Sequence, residues 1–420
     1  MNIFKSRQNF KYLFIDMNSY FASCEQEANP SYRNKPIAVT PVNTANGCIV
    51  SASYEAKAYG VKTGTLVRDA KKICPGIIIK ESNTYLYLDY HKKWTKILSN
   101  FSPFISIKSI DEAALKLSPS ERNSGFAHAL ALKIKNVIES RVGRYLKSSI
   151  GIGPNVFLAK QGSDYQKPNG LFEIKIENIS EYYSSIKLTD IKGINIRMER
   201  RLNTLGFFTP LDLFNATNET LKRKMGMIGE YWYLKLHGYD LPDAERILPK
   251  SIGHSHVLPP KFRSWKLAWS VCQKLIERAG FRLRSYGLQA EGVYLGIRFL
   301  TSADTLRYQQ LNRPHSFRKH LKTQPFFDSH TFSSLIFKIW QEIPKADYLP
   351  LKIAVTMFNL KKPSFRQQKL FESFERQENL SFAMDLINDK YGAFTIKSAN
   401  VLLAEDSAPN RISFGKPFDY

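Results

Sequence analysis

The sequence predicts a multidomain α+β chain. Three observations predict it. The 420 residues exceed what one ordinary domain holds. The first 170 residues follow a strand, helix, strand, strand, helix, strand order with an inserted segment. A second β-α-β-β-α-β pattern, strongly basic, runs from 250 to 363.

The elements read off the chain in order. KYLFID (11–16) is a short apolar strand that ends on an acid. Tyr20, Phe21 and Cys24 recur at helical spacing in the segment that follows. Pro30 and the stretch from Asn34 to Pro36 mark a loop. PIAVT (36–40) and GCIVSAS (47–53) read as strands, and YEAKAYGV (54–61) as a helix that stops at Gly60. ISIKSIDEAALKL (105–117) reads as two strand pieces around a turn. FAHALALKIKNVIESRVG (126–143) is an amphipathic helix, SSIGIG (148–153) a strand, and NVFLAKQGSDYQ (155–166) a helix. Residues 186–245 read as short helices with Gly turns. The basic region supplies SIGHSHVLP, a helix from Trp265 to Gly287, EGVYLGIRFL, TLRYQQLNR, the helix HTFSSLIFKIWQEIP and LKIAVTMFNL. Residues 372–420 read as a short helix followed by a loose tail.

Charge narrows the partners. Lys and Arg number 61 against 37 Asp and Glu, a net +24. Such an excess points to a polyanion, nucleic acid first and an anionic membrane surface second. Residues 250–363 hold 19 Lys/Arg and 6 Asp/Glu, so this quarter of the chain carries about half the net charge. No apolar run approaches the roughly 18–20 residues that span a membrane. The N-terminal stretch has no apolar core or cleavage site for export. Cys24, Cys48, Cys74 and Cys272 are scattered without a CxxC pair, which fits neither a disulfide framework nor a zinc site. A reducing cytosolic setting is expected.

The acids are the chemical signal. Asp16 ends an apolar strand, and Asp111 with Glu112 sits in another apolar setting. Carboxylates at the ends of buried strands are costly without compensation, and a divalent cation compensates them. Hard oxygen ligands suit Mg²⁺, which keeps waters and is shared with substrate phosphates. Two such ions roughly 3.5–4 Å apart activate an attacking oxygen and stabilise a leaving one. Adjacent strand residues point to opposite faces, so Asp111 and Glu112 converge only at a strand end or in a tight turn. The plain alternative is a surface hairpin turn.

The neighbours of these acids carry a family resemblance. Asp16-Met-Asn-Ser-Tyr-Phe-Ala-Ser-Cys-Glu25 and Ser53-Tyr-Glu-Ala-Lys-Ala-Tyr-Gly-Val61 resemble motifs of the Y-family DNA polymerases, the DinB/UmuC group. So do Ser109-Ile-Asp-Glu-Ala113 and the stretch Gly151-Ile-Gly-Pro-Asn-Val-Phe-Leu-Ala-Lys160, running on to Lys167-Pro-Asn-Gly170. The resemblance implies a right-hand polymerase. Its parts would be a ferredoxin-like palm with inserted small fingers (1–175, fingers about 26–85), a helical thumb with a helix-hairpin-helix (176–246) and a little finger (247–363). Residues 364–420 would form a C-terminal tail. It also implies template-directed DNA synthesis of the lesion-bypass, error-prone type in DNA repair, with the protein cytoplasmic and at the nucleoid.

The roles follow from the same resemblance. Asp16, Asp111 and Glu112 would hold two Mg²⁺ ions, for which Mn²⁺ can substitute, assisted by the main-chain carbonyl of Met17. Phe21 would be the steric gate, filling the space a ribose 2′-hydroxyl needs. Ser51, Tyr54, Lys57 and Lys167 would hold the incoming dNTP triphosphate. Position 57 carries Lys where DinB-type members usually have Arg, while Tyr54 is unlike UmuC-type members, so the subfamily stays open. A Lys is a point charge without the planar fork of Arg.

Leu188-Thr-Asp-Ile-Lys-Gly-Ile-Asn195, followed by Arg197, Arg200 and Arg201, resembles the DNA-binding hairpin. Lys192, Gly193, Asn195 and Arg197 would meet primer-template DNA, largely through backbone N–H groups on a phosphate. Asn195 stands where a second glycine is usual, and Asn tolerates the left-handed conformation better than most residues. Gln367-Gln-Lys-Leu-Phe371 resembles the bacterial sliding-clamp peptide, with Gln367, Leu370 and Phe371 as anchors. Accessory subunits of the UmuD type are a further partner for a UmuC-type member. Two rival readings are a catalytically dead adaptor on DNA and clamp, and another two-metal palm enzyme such as a nucleotide cyclase.

Overall fold

The computed structural model describes residues 10–241, 249–300, 316–344, 348–363 and 374–408. They fall into two compact units, one reaching residue 243 and the other spanning 244–410.

The first unit is built on a five-stranded sheet of order β5-β6-β1-β7-β8. Its strands are β1 (Tyr12–Met17), β5 (Ile105–Ile107), β6 (Glu112–Lys116), β7 (Ser148–Gly153) and β8 (Leu171–Glu173). β1 lies at the centre, antiparallel to both β6 and β7. Side chains alternate along it. Leu13, Ile15 and Met17 enter the main core, whereas Phe14 packs with Ala114 and Ala159 in a separate cluster. Asp16 therefore shares the Phe14 face.

The main core is closed by α1 (Tyr20–Ala28), α4 (Thr84–Leu98) and α5 (Ser124–Arg141). Helix α6 (Val156–Tyr165), capped by the Asn155 side chain accepting from Leu158 N–H at 2.7 Å, covers the other face. It lies very close to β7. A Cβ placed on Gly151 would sit 1.9 Å from the Ala159 carbonyl oxygen.

Between α1 and α4 the chain inserts a small sheet, order β3-β2-β4, from β2 (Ile37–Thr40), β3 (Ser51–Ala52) and β4 (Ile78–Glu81). Helices α2 (Tyr54–Ala58) and α3 (Val67–Ile73) complete it around Ala38, Ile49, Ala56 and Val61. The expected strand over 47–53 shrinks to Ser51–Ala52, because Cys48 bridges to Leu66 and leaves the ladder. After β8 come α7 (Ile179–Ser184), α8 (Ile196–Thr204), α9 (Pro210–Asn215), α10 (Asn218–Met225) and α11 (Met227–Leu236). They pack around Leu188, Ile191, Leu202, Leu213, Leu221 and Leu236.

The second unit is an antiparallel sheet of order β11-β10-β12-β9. In chain order it runs β9 (Ser251–Val257), α12 (Trp265–Ser285), β10 (Gln289–Phe299), β11 (Ser316–Phe326), α13 (Ser329–Gln341) and β12 (Pro350–Lys361). The expected third strand, 305–313, lies outside the described residues, and the strand that pairs with β10 is Ser316–Phe326. Its inward positions include Phe317 and Leu321, while Arg318, His320 and Lys322 alternate with them. That polar alternation suits a half-exposed strand and hides it from a search for apolar runs.

The expected loose tail is instead structured through residue 408. Helices α14 (Phe374–Tyr391) and α15 (Ala399–Leu402) belong to the second unit. The Arg284 guanidinium grips the Asp385 carboxylate in a fork at 2.5 and 2.8 Å. The buried Lys274 ammonium donates to the carbonyls of Ala404, Glu405 and Ser407 at 3.2, 2.9 and 2.7 Å. Ala404 and Ala408 enter the core. Among the described residues no helix is long and apolar enough to cross a membrane.

Candidate active site

Strand pairing assembles the acids. Asp16 and Glu112 are direct partners across β1 and β6, so their side chains leave the same face. Glu112 is the first residue of β6, and Asp111 sits in the turn before it. A turn is what lets neighbouring acids converge. The Met17 N–H donates to the Asp111 carbonyl at 2.9 Å, which ties that turn to the end of β1.

The three carboxylates are close enough to disturb one another. Burial pushes the Asp111 carboxyl up, a hydrogen bond from Ser109 opposes this, and Asp16 and Glu112 push it up further. Burial alone would also raise Glu112, but the ammonium groups of Lys160 and Lys192 hold it below the usual range. Lys160, buried on α6, pairs with Asp16, with Glu112 at 2.9 Å and with Asp164 at 3.0 Å. Those three carboxylates together outweigh burial and raise its pKa. The motifs assign no role to Lys160 or Asp164. Their signal was the i, i+4 spacing on the helix that covers Asp16.

Of the residues expected around the triphosphate, Lys167, Lys57 and Tyr54 gather beside Asp16. Lys167 reaches Asp16 and Asp164, each at 2.8 Å. The Lys57 ammonium lies 4.3 Å from the Tyr54 ring centre and donates to the Ser19 hydroxyl at 2.7 Å. Burial, then the nearby positive charge of Lys167, lowers the Lys57 pKa. Two cations crowded so are relieved by an anion. Ser51 is engaged differently: its hydroxyl accepts from Ala22 N–H at 3.3 Å and donates to the Ser19 carbonyl at 3.1 Å. It fastens the start of α1. Phe21, only 8% exposed, stacks on Tyr87 of α4 with ring centres 4.5 Å apart.

The hairpin before α8 is anchored on α6, where Gln161 accepts from the Lys192 N–H at 2.8 Å. Gly193 has φ +100°, a value that favours glycine. Asn195 makes no use of its tolerance for the left-handed conformation: it is extended (φ −96°, ψ 174°) and caps α8, its side chain accepting from Met198 N–H at 2.9 Å. Capping is the commoner use of Asn before a helix. The Lys192 ammonium points to Glu112 at 3.2 Å, whereas Arg197, Arg200 and Arg201 are exposed.

In the second unit, Arg298, Arg318, His320, Lys322 and Lys352 are exposed on the sheet face turned away from α12 and α13. Gln367, Leu370 and Phe371 lie outside the described residues.

Comparison with known proteins fits this geometry. Residues 15–164 match the impB/mucB/samB family, and residues 249–370 match that family's C-terminal domain. DNA polymerase IV of Pelotomaculum thermopropionicum is 30% identical over 401 residues, 92% of this chain and 94% of its own length. DNA polymerase IV 1 of Bacillus subtilis is 30% identical over 412 residues, 96% of each chain. A solved Y-family DNA polymerase chimera of Dbh and Dpo4 matches 84% of this chain and 100% of its own, at 25% identity and a TM-score of 0.69. An insertion ternary complex of Dbh DNA polymerase, 24% identical, shares the fold over 84% of this chain and 100% of its own, with a TM-score of 0.55. The acids on paired strands, the lysines around them and the two matched regions make this chain a member of the impB/mucB/samB family, the DinB/UmuC-like Y-family DNA polymerases.

Proposed function

We infer that the chain is a template-directed DNA polymerase of the translesion type. The primer 3′-oxygen attacks the α-phosphorus of a dNTP, and pyrophosphate leaves. The observation that carries this reading is the meeting of Asp16, Asp111 and Glu112 where the end of β1 lies against the start of β6, with Lys57 and Lys167 beside them.

The donor chemistry fits divalent cations. The three acids and the Met17 carbonyl offer only hard oxygens, the preference of Mg²⁺ and Mn²⁺. Among the described residues no ready-made cage of three such ligands is closed, and lysines supply the countercharge to Asp16 and Glu112. Asp111 bears the repulsion of both neighbours, and among the described residues no lysine or arginine pairs with it. We assign Asp16, Asp111, Glu112 and the Met17 carbonyl as ligands of two Mg²⁺ ions. When bound, the ions neutralise charge on the transferring phosphoryl group. Lys57 and Lys167 hold the triphosphate, and Tyr54 walls it. Ser51 serves this site by fixing the start of α1.

Primer extension with dNTPs and Mg²⁺, on matched and mismatched templates, tests the reading. Extension that follows the template and stops with chelator supports it. Cyclic nucleotide formation without extension would overturn it in favour of another palm enzyme. Binding of primer-template without extension, with clamp and UmuD-like subunits present, would favour the adaptor.

Phe21 is assigned as the gate against ribose. Phe21→Ala is expected to raise ribonucleotide insertion relative to deoxynucleotide by about tenfold to a hundredfold, the scale of discrimination by shape in a pocket. Single-nucleotide insertion with dNTP and rNTP measures it, and an unchanged ratio rejects the assignment.

DNA is held by the hairpin, with Gly193, Asn195 and Arg197 near the phosphate and Lys192 available to it, and by the outer face of the second unit's sheet. Phosphate contacts make affinity fall with salt, with a slope of about −0.9 per contact. Arg318→Ala combined with Lys322→Ala is expected to weaken binding equally on unrelated sequences and to flatten that slope by about 2. Anisotropy with labelled primer-template at several salt concentrations reads both. A sequence-dependent loss would contradict the backbone reading. The segment Gln367 to Phe371 is assigned to a bacterial-type sliding clamp on its pattern, and the place of action follows the DNA.

A further inference from the structure

The turn that carries Lys167 is held by a side chain no motif includes. Lys135 projects from α5 between the buried Ile134 and Ile138. Its ammonium donates to three main-chain carbonyls: Ser148 at 3.0 Å, Asn169, and Gly170 at 3.0 Å. An ammonium has three N–H donors, and all three are used. None goes to a carboxylate. Burial, with the Lys147 ammonium adding to it, pushes the Lys135 pKa down to about 8. A charged group kept under that pressure has a structural task.

The same turn is gripped from its other side. The Asn169 N–H donates to the Asn18 side-chain oxygen at 2.7 Å, and the Gly170 N–H donates to the Ser149 hydroxyl at 3.2 Å. The Asn18 amide donates to that hydroxyl at 3.0 Å. Asn18 and Ser149 are both buried. Asn169 stands at φ +55°, a conformation that needs such support. Two residues before it, Lys167 reaches Asp16. Lys135 and the Asn18–Ser149 pair thus clamp one four-residue turn, and the product is the placement of the Lys167 ammonium.

We propose that Lys135 is a positioning residue for the nucleotide site, fastening the 167–170 turn so that Lys167 meets the triphosphate. The proposal rests on the polymerase reading, and its test separates the two.

The first arm needs no activity. Amide exchange of the full-length protein is compared between wild type and Lys135→Met. Protection at Asn169 and Gly170 is expected to fall about tenfold, the weight of a charged hydrogen bond, while β1 and the rest of α5 hold theirs. Unchanged protection at those two amides overturns the proposal. The second arm is single-nucleotide insertion. Lys135→Met is expected to raise KM for dNTP about tenfold with kcat within about twofold, and with primer-template affinity unchanged. Lys135→Arg, which keeps the charge, recovers most of the loss. A fall in kcat alone, or equal losses in Met and Arg variants, points to general damage and rejects the positioning role. If Lys135→Met does not fold, Ser149→Ala loosens the same turn, and the same two readouts decide. A wild type that fails to extend primers sinks the polymerase reading, and the exchange arm still judges the clamp.

Discussion

Asp111→Ala is expected to cut template-dependent extension by about a thousandfold, the upper range for removing one preorganised electrostatic group. Primer-template affinity should be unchanged. Among the described residues Asp111 has no lysine partner, unlike the other two acids. Lys160 bridges Asp16 and Glu112, and Lys167 and Lys192 add their charges to these two. Asp111 is raised by burial and by both neighbouring carboxylates, and hydrogen bonds from Ser109 and from the main chain work against them. A buried acid whose folded-state pKa is raised costs stability wherever it is ionised, above its unfolded pKa. Removing it should therefore leave the melting temperature the same or higher at neutral pH. Lost extension with an intact melt marks a functional group. Extension within tenfold of wild type would refute its assignment, and a collapsed melt would mark Asp111 as structural.

Gly151→Val should have the largest effect on stability. Gly151 lies in β7 where α6 crosses the sheet. An added Cβ would stand 1.9 Å from the Ala159 carbonyl oxygen and 2.3 Å from the Ser163 nitrogen, both backbone atoms. No rotamer relieves such a contact, so the helix must move away from the sheet. That helix carries Lys160, and Gln161 on it anchors the hairpin. A loss above about 4 kcal/mol is expected, beyond the roughly 1–3 kcal/mol usual for overpacking because the clash is with main-chain atoms. Denaturant unfolding measures it, and insoluble expression would agree. Gly76→Ala is the control: nothing lies within 4 Å of where an added Cβ would stand and its φ is ordinary, so stability should be unchanged or slightly greater. Equal effects at both sites would refute the packing argument.

Much of the first sheet was legible because its strands are short, apolar and bounded by turn residues, as in KYLFID and SSIGIG. Helix α4 was missed although Tyr87, Tyr90, His91, Trp94, Ile97 and Leu98 repeat at helical spacing on its buried face. Its lysines and tyrosines dilute the apolar signal, and only packing tells a buried tyrosine from an exposed one: Tyr87 is buried, while Tyr85 is 80% exposed. Strand β11 was missed because one of its faces is basic. The C-terminal segment was read as loose because what orders it comes from afar, Lys274 and Arg284 on α12.

Local pattern and spacing in the sequence marked the three acids and the strands that carry Asp16 and Glu112, and the motif resemblance added Lys57 and Lys167. Tertiary structure decided what those groups touch. Pairing of β1 with β6 sets Asp16 against Glu112, across 96 positions of chain. The crossing of α6 brings Lys160 between them, and a lysine of α5 holds the turn that aims Lys167. Local propensity fixes which face a residue leaves from. Which charge waits on that face depends on the packing of segments distant in sequence, and no periodicity encodes it.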